Sequence, residues 1–340
     1  MGEYRSAAVA RITPLLLPLL LHLVLLPACA GKATDGAGGG GPVDSGAVGE
    51  DSGAATWPPA PSSYDCSAAA PPERWLTRAP SCATDPACPD TLVSGHRGAG
   101  GALGVIAPED TVQAVYAAVA WGLDFVETDP RPTADDHLVN LHDDTVDRTT
   151  TGSGAVAEMT LAEVQALPID LVEFPGDWSC ARIPTLDEIL EAAHGRIDVL
   201  VDANKTDRVD LLVAAIQRTD MVEHALFDTS SVEKIDAALE IEPELRTMIR
   251  VDTLEQLDSQ LEHFASHPPI IVEIGDGDPA LAADVRSRGH RPLMDVFLGD
   301  TAAGITGDTT RYEEALAAGV QIPQTDRPDL LLPLVWASDQ

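Results

Sequence analysis

From Thr91 onward the sequence alternates short apolar runs with amphipathic segments, and this alternation restricts the chain to very few folds. Strand-like runs stand at "TLVSG", "LDFVETD", "HLVNLHD", "IDVLVDA", "ALFD", "LRTMIR", "PIIVEIG", "PLMDVFLG" and "VQIPQTD". Between many of them lie helices with readable starts. Pro108 heads "EDTVQAVYAAVAWG", which Gly122 ends, and Thr160 with Glu163, Thr185 with Glu188 and Ser230 with Glu233 have the spacing of capping boxes. Strand and helix in alternation predict an α/β fold with parallel strands, and about 250 residues is the usual length of a (β/α)8 barrel. The runs exceed eight by one. Between "FVETD" and "LVNLHD" only "PRPTADDH" intervenes, too short to connect parallel neighbours, so these two runs are expected to form a hairpin after the second strand. A turn near Asp135 and Asp136 pairs residues whose numbers sum to about 271, which sets Asp129 opposite His142 and Glu127 on the same face.

The first 90 residues read differently. Residues 1–29 follow the order of an export signal: Arg5 and Arg11 precede "PLLLPLLLHLVLLPA", a run too short and too Pro-interrupted to span a membrane. "ACA" at Ala28 to Ala30 suits ordinary signal peptidase, whereas "LPAC" resembles the lipobox of bacterial lipoproteins and puts a lipid on Cys29. The lipoprotein reading is preferred over simple secretion. The expected location is the bacterial cell envelope, with membrane contact only through Cys29. Residues 30–63, Gly, Ser, Asp and Pro with little to bury, read as a flexible tether, 64–90 as a Cys-containing extension and 91–340 as the barrel. Cys66, Cys82, Cys88 and Cys180 make an even number in an exported chain and allow three disulfide pairings, of which Cys82 with Cys88 and Cys66 with Cys180 is favoured.

Lys and Arg number 21 against 55 Asp and Glu, a net charge of -34, so a nucleic-acid partner is excluded by long-range repulsion. A small anionic substrate then needs a local cation at its site. Glu127 and Asp129 close an apolar strand and, one residue apart, point to the same side. Two such carboxylates repel unless they share a proton or hold a cation, and oxygen ligands predict Ca²⁺ or Mg²⁺. His96 and His142 each follow or close a strand-like run, where catalytic groups of such barrels gather.

"HRG" at His96, "APEDT" at Ala107, "VETD" at Val126, "HDDTVDRTTTGSG" at His142, "IPTLDEIL" at Ile183 and "QTDRPDLLL" at Gln324 stand in the order and approximate spacing of the glycerophosphodiester phosphodiesterases. The chain resembles that family over essentially all residues from 91. The resemblance implies a TIM (β/α)8 barrel and metal-dependent hydrolysis of a small-molecule glycerophosphodiester to sn-glycerol 3-phosphate and an alcohol. It implies that His96 and His142 are the acid/base pair, Glu127 and Asp129 metal ligands, Arg97 a phosphate ligand and Glu109 a buttress of the pocket. The family's third metal carboxylate lies in a Glu-x-Lys pattern, where this chain has "VLVDANK". Asp202 is expected at the metal, while Asn204 stands where the phosphate-binding lysine belongs and Lys205, one place later, is taken as its substitute. Phe297 is expected as an aromatic wall. Two other readings keep the same barrel: a lipid-diester phosphodiesterase similar to sphingomyelinase D, and a non-catalytic phosphodiester-binding lipoprotein.

Overall fold

The computed structural model describes residues 57–74, Cys82, Asp85, 87–170, 174–275 and 280–338. The export segment, Cys29 and the tether up to residue 56 lie outside the described residues. The strands are β1 (Ser94–Gly95), β2 (Phe125–Thr128), β3 (Pro130–Pro132), β4 (Leu138–Asn140), β5 (Asp198–Asp202), β6 (Ala225–Thr229), β7 (Arg246–Val251), β8 (Ile271–Ile274), β9 (Arg291–Asp295) and β10 (Ile322–Thr325). Eight of them close a barrel in the order β1-β10-β9-β8-β7-β6-β5-β2, every pair parallel. The nine predicted runs are all present as strands. An antiparallel hairpin does follow the second barrel strand, but its first arm is β3, from the start of the connection "PRPTADDH", paired with β4, while the run "FVETD" itself forms β2 and pairs within the barrel.

The hairpin's register differs from the expected one by a residue. Pro130 faces Asn140 and Pro132 faces Leu138, so paired numbers sum to 270, and Asp129 accepts from Leu141 N–H at 3.0 Å instead of facing His142. Thr133 and His137 close the hairpin end, and Asp136 at φ 61° takes the left-handed conformation that completes a three-residue turn centred on Asp135. An odd-numbered turn moves every pair by one.

The helices are α1 (Val112–Trp121), α2 (Leu161–Gln165), α3 (Leu186–Ala193), α4 (Val209–Arg218), α5 (Val232–Ile241), α6 (Leu254–His263), α7 (Leu281–Ser287), α8 (Phe297–Thr306), α9 (Thr310–Ala318) and α10 (Pro328–Ser338). Thr160 and Thr185 make the capping boxes expected of them. Two helix starts are corrected. Thr111, not Pro108, heads α1, because Asp110 at φ 57° cannot be helical, and Thr111 accepts from Ala114 N–H. Ser231, not Ser230, caps α5, since Ser230 turns its N–H and hydroxyl to Asn204.

The extension is bound to the barrel by Cys66–Cys180, and Cys82–Cys88 closes a short loop. Within the span read as tether, Trp57 packs edge-on between Trp121 and Trp336. Arg291, fully buried, donates to the carbonyls of Cys82, Asp85 and Asp90 and so ties that loop under the barrel.

Candidate active site

Leu92, Phe125, Leu200, Leu226, Met248, Ile271, Leu293 and Ile322 form one buried apolar cluster with Cys82 inside the barrel. Two residues further along each of these segments stand Ser94, Glu127, Asp202, Asp228, Arg250, Glu273, Asp295 and Gln324. Alternate residues of a strand share a face, so a polar layer sits directly on the apolar one at the strands' carboxyl ends. Arg250 is the cation at its centre. Its Nε donates to Asp228 at 2.8 Å and lies 3.1 Å from Glu273, and its Nη2 is 3.6 Å from Asp202. Burial, with Asp202 and Asp295 nearby, pushes the Asp228 carboxyl up to about 6 in spite of Arg250.

Oxygens of Glu127, Asp129 and Asp202 lie within 4.8 Å of one another, all three residues buried. Glu127 Oε2 accepts from Arg97 N–H at 3.0 Å and Asp202 Oδ1 from Asn204 N–H at 2.6 Å. Asp129 Oδ2 is buried without a hydrogen bond. Burial, and then Asp129, Asp202 and Asp110, hold the Glu127 carboxyl well above its ordinary range. Burial likewise raises Asp129, with Asp202 adding to it, although His142, Lys205 and Arg97 oppose. An all-oxygen set with an orphaned buried acceptor and mutually repelling carboxylates fits a hard divalent cation.

Each histidine has its own carboxylate. His96 Nδ1 is 2.6 Å from Asp326 Oδ1, and Asp326 also accepts from Gly101 N–H at 2.7 Å and Leu103 N–H at 2.9 Å. An ionised carboxylate only accepts, so Nδ1 carries the proton and Nε2, 4.0 Å from Glu127 Oε2, faces the carboxylates. A Cβ at Gly101 would collide with both His96 Nδ1 and Asp326 Oδ1, which is why the residue there has no side chain. Phe297 packs on the His96 ring with centroids 4.4 Å apart. His142 Nδ1 is 2.8 Å from Asp143 Oδ1, and its backbone N–H donates to the buried Asp110 at 3.0 Å. Partial burial lowers the His142 pKa, against the raising effect of Asp143 and Asp129.

Arg97, at φ 51° between the strand end and Gly98, donates Nη1 to Glu109 at 2.9 Å and sets Nε 3.6 Å from Asp129. Glu109 also accepts twice from Arg148, at 2.7 and 2.8 Å. Although burial acts the other way, Arg148 and Arg97 hold Glu109 below the usual carboxyl range. Lys205 Nζ lies 3.7 Å from Asp129 Oδ1, whereas the Asn204 side chain points to the end of β6. All nine predicted site residues therefore stand at this mouth. Sequence reasoning missed Asp326, Asp110, Asp143, Arg148 and Arg250. The first four lie inside the motif blocks, and Arg250 follows from the two-residue step on β7.

Residues 96–279 match the glycerophosphoryl diester phosphodiesterase family. The protein YhdW of Bacillus subtilis is 42% identical over 107 residues, 32% of this chain and 42% of that one, so the match spans under half of that relative. A glycerophosphodiester phosphodiesterase of Caldanaerobacter subterraneus is 31% identical over 201 residues, 55% of this chain and 80% of that one. An Oleispira antarctica phosphodiesterase, solved in complex with the product sn-glycerol-3-phosphate, shares the fold at a TM-score of 0.57 and 21% identity, over 73% of this chain and 97% of that one. With a closed barrel, a hairpin after its second strand and the motif residues gathered at one mouth, the chain belongs to the glycerophosphoryl diester phosphodiesterase family of enzymes.

Proposed function

We propose that this protein hydrolyses glycerophosphodiesters to sn-glycerol 3-phosphate and an alcohol, with Ca²⁺ or Mg²⁺ held by Glu127, Asp129 and Asp202. The observation that carries the metal is the buried Asp129 Oδ2, which makes no hydrogen bond, within a three-carboxylate cluster. A bound divalent ion supplies charge neutralisation at the phosphoryl oxygens and a lower pKa for the attacking hydroxyl. Arg97, oriented by Glu109, and Lys205 grip the phosphate from the same mouth and offset the acidic surroundings. One histidine, neutral, takes the nucleophile's proton at Nε2 while the other, entering as the imidazolium, gives its Nε2 proton to the leaving alkoxide, each ring held through Nδ1 by its carboxylate. The product complex of the Oleispira relative supports glycerol 3-phosphate as the product.

The test incubates the full chain with glycerophosphocholine and Ca²⁺ or Mg²⁺ and assays glycerol 3-phosphate. Release that stops on chelation, returns with the metal and falls by about 10²-fold or more in His96→Ala or His142→Ala is expected. Turnover that persists without both histidines, or binding without product, overturns the reading. Lysophospholipid or sphingomyelin cleaved in preference would move the assignment to a lipid diester. Export is also proposed, supported by the two disulfides, which persist in oxidising compartments. Labelled palmitate incorporated by the wild type and not by Cys29→Ala checks the lipid.

A further inference from the structure

β5 ends at Asp202, whose side chain faces the barrel mouth. Were the strand to continue, Asn204 would share that face and Lys205 would point away. The chain instead enters a 3₁₀ turn, Ala203–Lys205, begun by the Asp202 carboxylate accepting from Asn204 N–H. Three residues per turn bring positions i and i+3 to the same side, so Lys205 returns to the side of Asp202. Its Nζ there lies 3.7 Å from Asp129 Oδ1.

Two residues hold this turn. Asn204 Oδ1 accepts from Thr229 Oγ1 at 2.9 Å, Ser230 Oγ at 3.0 Å and Ser230 N–H at 3.1 Å, which fastens the turn to the end of β6. Lys234, in the first turn of α5, donates Nζ to the carbonyls of Ala203 at 3.0 Å and Thr206 at 2.8 Å and lies 3.0 Å from Asp207 Oδ1. Two of its three donors are used by backbone carbonyls, and its charge is paired with Asp207. Lys234 is thus committed to the backbone on either side of Asn204 and Lys205 and reaches no substrate.

We propose that Asn204 and Lys234 are positioning residues for Lys205: they pin the turn that lets a lysine displaced by one residue reach the phosphate. The inference rests on the phosphate-binding role proposed for Lys205. Steady-state kinetics of the full chain on glycerophosphocholine, with the metal saturating, test it in Lys205→Met, Lys234→Met, Lys234→Arg, Asn204→Ala and the Lys205→Met/Lys234→Met double variant. Lys205→Met is expected to lower kcat/KM about tenfold, mainly through KM, and Lys234→Met by a similar or smaller factor, about fivefold, with Lys234→Arg recovering most of it. The double variant should be no worse than Lys205→Met alone, because Lys234 acts only through Lys205. General destabilisation would instead lower kcat/KM by the same factor in both backgrounds, and that result overturns the proposal, as does a folded Lys234→Met with wild-type KM. If Lys234→Met does not fold, Asn204→Ala combined with Lys205→Met repeats the comparison. Wild-type kinetics in Lys205→Met overturn the phosphate role and the inference together, whereas an impaired Lys205→Met with additive partners overturns the inference alone.

Discussion

Which nitrogen of His96 carries the proton depends on one carboxylate far away in sequence. Asp326 accepts from the imidazole Nδ1–H and from the N–H groups of Gly101 and Leu103, so all its bonds require an acceptor. Burial works against its charge, but the bond to His96 and the two backbone donors hold its pKa below the usual range, and it stays ionised at neutral pH. Asp326→Asn places an NH₂ where at least one of these donors needs an oxygen. The expected result is a fall in kcat of about 10–100-fold with KM little changed, measured on glycerophosphocholine alongside a thermal melt that confirms folding. Unchanged kcat would remove Asp326 from the orientation of His96. The paired carboxylates Glu127 and Asp129 were legible because residues two apart at the end of an extended segment share a face. Asp326 was not, since it lies 230 residues from the ring it orients.

α8 and α9 meet β10 through a single carboxylate. Asp300, buried in the first turn of α8, accepts from Tyr312 Oη at 2.6 Å, Thr325 Oγ1 at 2.5 Å and Asp326 N–H at 2.7 Å, and thereby fixes the turn that bears Asp326. Burial pushes its pKa up to about 6 despite these bonds. Relative to an unfolded value near 4, the folded state then binds more protons between about pH 4 and 6, so this group's contribution to stability is complete below pH 4 and is lost as pH rises through 6. The stability difference between wild type and Asp300→Asn should shrink by about 2–3 kcal/mol from pH 4 to pH 6.5, measured by urea denaturation. A difference that does not vary with pH would show Asp300 ionised throughout. Strands and capped helices were readable at this scale from periods of two and from Thr-x-x-Glu spacing. The hairpin register was misjudged by one residue, because the left-handed Asp136 makes the turn odd-numbered and a neighbouring-residue pattern does not reveal that conformation.

For the whole molecule, the two disulfides differ in what they constrain. Cys66–Cys180 spans 114 residues and Cys82–Cys88 spans 6. Loop-closure entropy assigns about 5 kcal/mol to the first and about 2 kcal/mol to the second. Replacing Cys66 and Cys180 by serine is therefore expected to cost more stability than replacing Cys82 and Cys88, read from denaturant midpoints of the two double variants. Equal losses would mean that native packing around the short loop, including Arg291, outweighs chain entropy. The sequence by itself determined the parallel α/β barrel, the hairpin and the chemistry at the mouth, because periodicity, capping and connection length act between residues a few positions apart. It also contained the polar layer, as the two-residue steps from Phe125 to Glu127, Leu200 to Asp202 and Met248 to Arg250 show. Only the tertiary structure decided that Lys205 and not Asn204 turns to Asp129 at the barrel mouth, that Asp326 holds His96 and that Arg250 joins Asp228, Glu273 and Asp202. Those contacts join the ends of separate strands: His96 meets Asp326 where β1 pairs with β10 and closes the barrel, Lys205 meets Asp129 where β5 pairs with β2, and Arg250 on β7 reaches its neighbours β6 and β8 and, beyond β6, the end of β5.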